Sequence, residues 1–276
     1  MSDSLAQALR ACLKDGEPAA TILIREARGS TPRETGARML VSLKAAHGTI
    51  GGGRLELQAI EEARALLRDG GPPILRNVNL GLALGQCCGG RVTLQIARAD
   101  QSALTELEAY ERAAAGAYPT ILIFGAGHVG RALAKAMSLV PFNVRWIDER
   151  DSEIAGVAFG DNIEAMVTER WAQEIARAPK GAACLVMTHS HALDSLVTAA
   201  ALARVDFAYV GLIGSMTKRR RFERAFREIG LPEAQIARLV CPIGEFGVRD
   251  KRPEIIAALV VAELIQLFSP KSRRES

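Results

Sequence analysis

The chain has 276 residues, of which 49% are hydrophobic, and a formal net charge of +4. This length suggests two domains, and so small a net charge gives no reason to expect nucleic acid or a membrane as a partner. The first residues lack the basic and apolar segments of a signal peptide. The five cysteines are an odd number and do not indicate a disulfide framework, so we expect a cytoplasmic protein.

Residues 1–99 are predicted to form an α+β domain. Apolar residues at helical spacing favour helices, and short apolar runs bounded by glycine and proline favour strands. The predicted helices cover 5–13 and 55–67, and the predicted strands cover 20–26, 38–43 and 92–96. The polar, alanine-rich residues 100–117 are predicted to link this domain to the next as a helix and a turn.

Residues 118–276 alternate between strands and helices, which indicates a Rossmann-like parallel sheet covered on both faces. The overall fold class is therefore α/β. The predicted strands cover 121–124, 144–147, 165–167, 184–187 and 208–213, and the predicted helices cover 129–139, 170–177, 192–204 and 217–229. The apolar run 255–268 is too short to span a bilayer. It is predicted to be a buried helix with Pro253 in its first turn.

A glycine fingerprint, G-x-G-x-x-G, lies between the first predicted strand and helix of this second domain. It consists of Gly125, Gly127 and Gly130, with His128 inside it and Asp148 at the end of the next strand. This context is typical of dinucleotide binding, in which backbone N–H groups and the helix dipole hold a phosphate. The alternative is that the glycines only shape a turn, that His128 is solvated and that Asp148 binds another polar group.

Two further loops follow predicted strands of the same sheet. The first carries His189, His191 and Asp194, a set suited to metal binding or proton transfer, or else a polar loop in which Asp194 caps a helix. The second carries Gly214, Ser215 and Lys218, where Ser215 is placed to cap a helix whose N-terminus would attract an anion. The cationic run 218–221 is interpreted as a solvated helix face or, alternatively, as a phosphate or docking site.

The first domain contains a pair of adjacent cysteines, Cys87 and Cys88, followed by two glycines. Thiolates are suitable ligands for molybdenum, copper or zinc and can carry persulfide sulfur. The alternative is two buried thiols beside a glycine turn. The residues alone leave both interpretations open.

Nearly the whole chain resembles the XdhC/CoxI family of molybdoenzyme accessory proteins. In the first domain the resemblance rests on residues 29–33, 36–39, 48–53 with 55–56, and 86–90; in the second it rests on 124–130, 148–150, 188–194, 211–218 and 241–244. Position 190, often acidic in the family, is Ser190 here.

The resemblance implies an N-terminal XdhC/CoxI domain and a Rossmann-like domain that bind the molybdopterin form of the molybdenum cofactor. It also implies delivery of that cofactor to the apo-enzyme of xanthine dehydrogenase, contact with a cysteine desulfurase that supplies the sulfido ligand, and homodimers. We therefore expect a cofactor chaperone rather than a turnover enzyme. Its cofactor phosphate would lie at Gly125–Gly130 or Gly214–Lys218 and its metal near Cys87 or Cys88. Arg33 and Arg38 would pair with anionic oxygens or serve as surface charges.

Two other functions fit the same residues. The first is an NAD(P)-dependent oxidoreductase that uses the glycine fingerprint and Asp148 for the nucleotide, with His189 or His191 as the acid–base group. The second is a regulatory module that binds a nucleotide but no pterin.

Overall fold

A computed structural model describes residues 4–80, 89–157 and 159–269 of the chain. Contacts between residues divide the chain into two compact units, Ser2–Ala114 and Ala115–Ser276. Within the described ranges, every helix is too short or too polar to cross a membrane. Cys87 and Cys88 lie outside these ranges.

The first unit is built around an antiparallel sheet of five strands in the order β3-β2-β1-β5-β4. Its elements in chain order are α1 (Leu5–Lys14), β1 (Ala19–Arg28), β2 (Arg38–Ser42), β3 (Ala46–Gly48), α2 (Gly53–Asp69), β4 (Ile74–Asn79), β5 (Arg91–Ala99) and α3 (Gln101–Gly116).

The two faces of this sheet are covered differently. One face packs against α2 through a large apolar cluster that includes Ile22, Met39 and Leu94. The opposite face meets α1 and α3 through a smaller cluster that includes Leu9 and Leu104. This smaller cluster leaves room on its face of the sheet for polar side chains of β1, β4 and β5.

The second unit contains a parallel sheet of six strands in the order β11-β10-β9-β6-β7-β8. Its elements in chain order are β6 (Thr120–Phe124), α4 (His128–Met137), β7 (Asn143–Asp148), α5 (Asp151–Ile154), β8 (Ile163–Val167), α6 (Trp171–Arg177), β9 (Ala183–Val186), α7 (His191–Ala203), β10 (Tyr209–Leu212), α8 (Met216–Glu228), α9 (Glu233–Ile236), β11 (Leu239–Val240) and α10 (Pro253–Phe268).

Separate apolar clusters cover the two faces of the parallel sheet, as the near-continuous apolar strands predict. The last helix, α10, differs from its prediction as a buried helix. Its inner side, with Val260 and Leu264, is buried, whereas Ile265 and Leu267 are 39% and 46% exposed. The apolar run therefore contributes one side to the core and leaves two large side chains at the surface.

The strand order reverses at β6, which lies between β9 and β7. From β6 the chain continues through β7 and β8 on one side and then through β9, β10 and β11 on the other. Such a reversal opens a crevice beyond the carboxyl ends of the two central strands, where open α/β sheets bind their ligands. The glycine fingerprint follows β6 and the His189–Asp194 loop follows β9, so both predicted loops border this crevice.

Candidate ligand-binding site

The glycine fingerprint forms a tight turn between β6 and α4. Gly125 has φ +120°, a backbone conformation that favours glycine. A Cβ at Gly125 would lie 2.2 Å from the carbonyl oxygen of Met187, and a Cβ at Gly130 would lie 1.9 Å from the oxygen of Gly125. Both glycines are therefore required for the close packing of backbone around the turn.

Gly127 has a different environment. A Cβ built there meets no heavy atom within 4 Å, and its φ of −65° is open to other residues. The space above Gly127 is thus free for a ligand to approach the N-terminus of α4. His128, the first residue of that helix, is exposed beside the same space.

Asp148 holds this turn in place from the end of β7. Its side chain is buried, and Oδ2 accepts a hydrogen bond of 2.6 Å from the N–H of Ala126. Arg150 donates to both carboxylate oxygens, from Nε at 2.9 Å and from Nη2 at 2.8 Å. Burial alone would raise the pKa of Asp148, but the hydrogen bonds from Arg150 and Ala126 outweigh it and lower the pKa.

This geometry bears on the predicted ribose contact. A ribose hydroxyl would have to donate to a carboxylate that already accepts from the backbone N–H groups of Ala126 and Arg150 and from the Arg150 fork. The adjoining pocket, between Asp148, Thr168 and Trp171, has a volume of only about 20 Å³, which is room for about one water molecule. The hydrogen bonds of Asp148 are therefore made within the protein, to the backbone and to Arg150.

Asp194 and Lys218 form a buried ion pair that joins the loops after β9 and β10. The side chains are 2% and 14% exposed, and Lys218 Nζ lies 2.6 Å from Asp194 Oδ2. Thr188 donates to Asp194 Oδ1 from both its N–H and its hydroxyl at 2.8 Å. The sequence predicted these two loops as separate sites, and the structure brings them together.

The joined loops form the walls of a cleft of about 600 Å³. Side chains that donate hydrogen bonds or carry positive charge line much of it: His189, His191, Ser215, Thr217, Lys218 and Arg221. His191 and Met216 are the first residues of α7 and α8, so the N-termini of two helices face this region. The cleft therefore combines helix dipoles with cationic side chains, an arrangement that attracts anions.

The N-terminus of α8 is capped as predicted. Ser215 Oγ accepts a hydrogen bond of 3.3 Å from the N–H of Lys218. The thiol of Cys241 packs close to this turn, 3.9 Å from the carbonyl oxygen of Ser215. Burial raises the pKa of Cys241 more than Lys218 and Arg219 lower it, so this sulfur is a neutral thiol at pH 7.

The histidines of the first loop face solvent. His189 is 40% exposed, and its Nε2 lies 3.5 Å from Glu149 Oε1. Among the described residues, no cluster of three or more His, Cys, Asp or Glu side chains is arranged to hold a metal ion. Asp194 already accepts hydrogen bonds from Thr188 and pairs with Lys218. The residues predicted as a group, His189, His191 and Asp194, therefore form part of the polar wall of the cleft.

The first unit contains the remaining predicted residues. The segment with Cys87 and Cys88 lies outside the described residues, but the chain on either side of it is joined by a hydrogen bond of 2.8 Å from Leu80 N–H to Gly90 O. Arg33 is 40% exposed and lies 3.4 Å from Glu34 Oε1. Arg38 lies at the start of β2, with its guanidinium over the ring of Tyr110.

Sequence reasoning missed two residues that shape the site. Arg150 pairs with Asp148, and the buried Trp146 donates to Gly125 O at 3.1 Å. Arg221 is exposed and lines the cleft, which agrees with both interpretations of the run 218–221. The spacing Asp-x-Arg at a strand end would have indicated the pair of Arg150 and Asp148, because an arginine side chain can reach a carboxylate two residues away.

The fold and this site define a class of protein: a Rossmann-like ligand-binding domain that follows an α+β domain. A family model described as the XdhC Rossmann domain matches residues 121–264. A second model, described as the XdhC and CoxI family, matches residues 12–77. The chain belongs to the XdhC family.

Known proteins that are similar to this chain include a bacterial relative and a protein of known structure. Uncharacterized protein YqeB of Escherichia coli (strain K12) is 30% identical over 259 residues, which cover 91% of this chain but only 43% of that protein. A crystal structure described as a xanthine dehydrogenase from Bacillus halodurans matches with a TM-score of 0.74 and 19% identity, over 99% of this chain and 98% of that one. At that identity the second likeness shows the fold.

Proposed function

We propose that this protein binds the molybdopterin form of the molybdenum cofactor and delivers it to a xanthine dehydrogenase. The cleft between the loops after β9 and β10 would hold the anionic phosphate end of this cargo. The observation that carries the proposal is the positive character of this cleft in a chain of the XdhC family.

The charge of the cleft supports an anionic cargo. The charge of Lys218 is neutralised by Asp194, but Arg221 has no hydrogen bond or ion pair with any described residue. Its guanidinium, two helix N-termini and the hydroxyls of Ser215 and Thr217 therefore remain to receive oxygens. Arginine presents five donors in a planar fork that matches phosphate oxygens well.

The size of the cleft also fits. Small-molecule sites commonly have volumes of roughly 300–1,000 Å³, and this cleft has about 600 Å³. A second phosphate position lies at Gly127, where the N-terminus of α4 is open. A pterin with a phosphate or nucleotide tail would find donors at both places along the carboxyl edge of the sheet.

The nicotinamide-dependent oxidoreductase is the rival function, supported by the glycine fingerprint. For this function, Asp148 would have to release the side chain of Arg150 and bind a ribose hydroxyl. The narrow pocket beside Thr168 would also have to open. No such rearrangement is needed for an anion in the cleft of Arg221. The geometry thus favours the accessory function over hydride transfer.

The test is a titration of the full-length protein under anaerobic conditions, with molybdopterin cofactor and, in parallel, with NADH. Cofactor binding that weakens about tenfold in Arg221→Met, but not in Arg220→Met, is the expected result. Arg220 is an exposed neighbour on α8 that does not line the cleft. Tight NADH binding with reduction of a carbonyl substrate, and indifference to the pterin, would replace this proposal with the rival.

The roles of the cysteine pair and the partners belong to the same proposal. Cys87 or Cys88 would contact the molybdenum, a cysteine desulfurase would supply its sulfido ligand, and the protein would act as a homodimer in the cytoplasm. Loss of cofactor retention in a folded Cys87→Ala, Cys88→Ala variant would support the thiol contact. Undiminished retention and transfer to apo-xanthine dehydrogenase would remove both cysteines from the mechanism.

A further inference from the structure

A second polar cavity lies within the first unit, on the face of its sheet that meets α1 and α3. It has a volume of about 270 Å³. Its floor is formed by side chains of three neighbouring strands, among them Thr21 and Arg25 of β1, Arg38 of β2 and Gln95 of β5, and its side by residues 100–107. None of these residues belongs to the cleft described above.

Arg38 is the unusual member of this cavity. Its Nε is buried and has no hydrogen-bond acceptor among the described residues. A buried donor without a partner costs about 1–3 kcal/mol, and such groups in folded proteins commonly mark the place of a bound water or ion. In the part of the chain that the structure describes, no carboxylate lies within 4 Å of the Arg38 side chain.

The guanidinium of Arg38 is held in place from one face. Its central carbon lies 4.1 Å from the ring centroid of Tyr110 on α3. Stacking of this kind occupies the plane of the guanidinium but leaves its edges, which carry the N–H groups, free to donate. The edge that contains Nε is one that arginine uses for two parallel bonds to a carboxylate or phosphate.

Neighbouring side chains supply further donors. Arg25 Nε donates to Gln95 Oε1, which leaves the Nη groups of Arg25 and the amide N–H₂ of Gln95 for another acceptor. Two acids also line the cavity, Asp100 and Glu106. Asp100 accepts from the N–H of Ala103 at the start of α3, and neither acid forms an ion pair with Arg25 or Arg38.

We infer that this cavity is a binding site for an oxyanion, held by the Nε edge of Arg38 together with Arg25 and Gln95. The anion is a phosphate or carboxylate group of a small molecule. The site uses residues of the first unit alone, so the inference does not rest on the proposed cofactor cleft at Arg221.

The experiment follows the Nε–Hε signals of arginine by NMR in the ¹⁵N-labelled full-length protein. Inorganic phosphate and succinate are added separately, at constant ionic strength maintained with chloride. The Arg38 signal is identified by its loss in Arg38→Lys, a variant that keeps the charge but removes Nε. Arg68→Lys is the matched control, because Arg68 is exposed on α2, over the opposite face of the sheet.

A saturable shift of the Arg38 Nε signal with phosphate or succinate is expected, and the stronger of the two probes identifies the anionic group. In Arg38→Lys, the accompanying shift of the Arg25 signal should require about tenfold more anion, whereas Arg68→Lys should behave as the parent. Arg221→Met should leave the response unchanged even if it abolishes binding of the cofactor. Shifts that fail to saturate, or that the Arg68 signal shares, would overturn the inference.

Discussion

At the scale of single residues, the buried pair of Asp194 and Lys218 links the chemistry of the cleft to the stability of the fold. Its oxygens and ammonium satisfy one another and the backbone of two strand ends: Thr188 N–H donates to Asp194, and Lys218 Nζ donates to Ile213 O at 3.0 Å. A buried ion pair is costly to break from one side, because the remaining charge stays desolvated. Lys218 thus has a structural role, which leaves Arg221 as the cation available to a ligand.

Lys218→Met should destabilise the protein by about 3 kcal/mol, near the lower end of the range for a broken buried pair, because Asp194 keeps its two bonds from Thr188. Urea unfolding followed by circular dichroism measures this loss. Adding Asp194→Asn to the same variant should restore much of the stability by removing the buried charge. An unchanged urea midpoint for Lys218→Met would contradict the structural role, and Arg220→Met serves as the exposed control on the same helix.

Arg150 controls the ionisation of Asp148. Because the folded-state pKa of Asp148 is lowered, the carboxylate stabilises the fold at pH values above its unfolded pKa, and this contribution is lost as pH falls through the folded pKa. Arg150→Met removes the fork and should raise the pKa of Asp148, so acid unfolding should begin at a higher pH. Carbon-detected NMR of the Asp148 carboxyl gives its titration directly. A pKa that stays at the parental value would show that the backbone N–H groups of Ala126 and residue 150 are sufficient without the fork.

Sequence patterns located most of these residues but not their partners. The fingerprint glycines follow β6, Asp148 ends β7, and Asp194 lies in the first turn of α7 after β9, at the edge of the sheet where the alternation of strands and helices predicts a site. The pairing of Asp194 with Lys218 spans 24 residues and depends on β9 and β10 being neighbours, which residue spacing alone does not reveal. Similarly, the stacking of Arg38 on Tyr110 depends on how α3 crosses the sheet.

At the scale of elements, segments with a clear apolar pattern were predicted, and short or polar segments without such a pattern were not. The helices near 5–13 and 55–67 and the apolar strands of the parallel sheet are confirmed by α1, α2, β6, β7 and β9. No pattern in the sequence predicted β3, β4, α5, α9 or β11. β3 and β11 have only three and two residues, and β4 lies at an edge of its sheet, with Arg76 and Asn79 where a central strand would be apolar.

The turn between β6 and α4 allows two of its glycines to be tested separately. Gly130→Ala should prevent folding or destabilise it severely, because its Cβ would lie 1.9 Å from the carbonyl oxygen of Gly125. Gly127→Ala should leave the thermal unfolding temperature within a few degrees of the parent, since the space above it is open. If the turn holds a phosphate, this second variant should bind the ligand more weakly at unchanged stability. Equal loss of stability in both variants would contradict the geometry of the turn.

At the scale of the whole molecule, each unit has a complete framework of its own. The antiparallel sheet has its apolar clusters on both faces within the first unit, and the parallel sheet has its own two clusters within the second. The change from isolated strand patterns to strand–helix alternation near residue 118 predicts two domains, because antiparallel and βαβ connections need loops of different length. It did not predict that each unit would contain a cavity lined by an arginine without an anionic partner among the described residues.

Separate cores predict that the two halves of the chain fold independently. Fragments 1–117 and 118–276 should each unfold cooperatively in urea, since the first keeps α3 with its buried Leu104 and Leu107 and the second keeps the whole parallel sheet. Phosphate should then shift the Arg38 Nε signal in the first fragment. Phosphate binding to the second fragment should weaken in the Arg221→Met variant. If both fragments fold but one of them responds to neither phosphate nor succinate, the arginine of that fragment is a surface charge. If neither unfolds cooperatively, the stability of each unit depends on the other, and the division into independent domains is wrong.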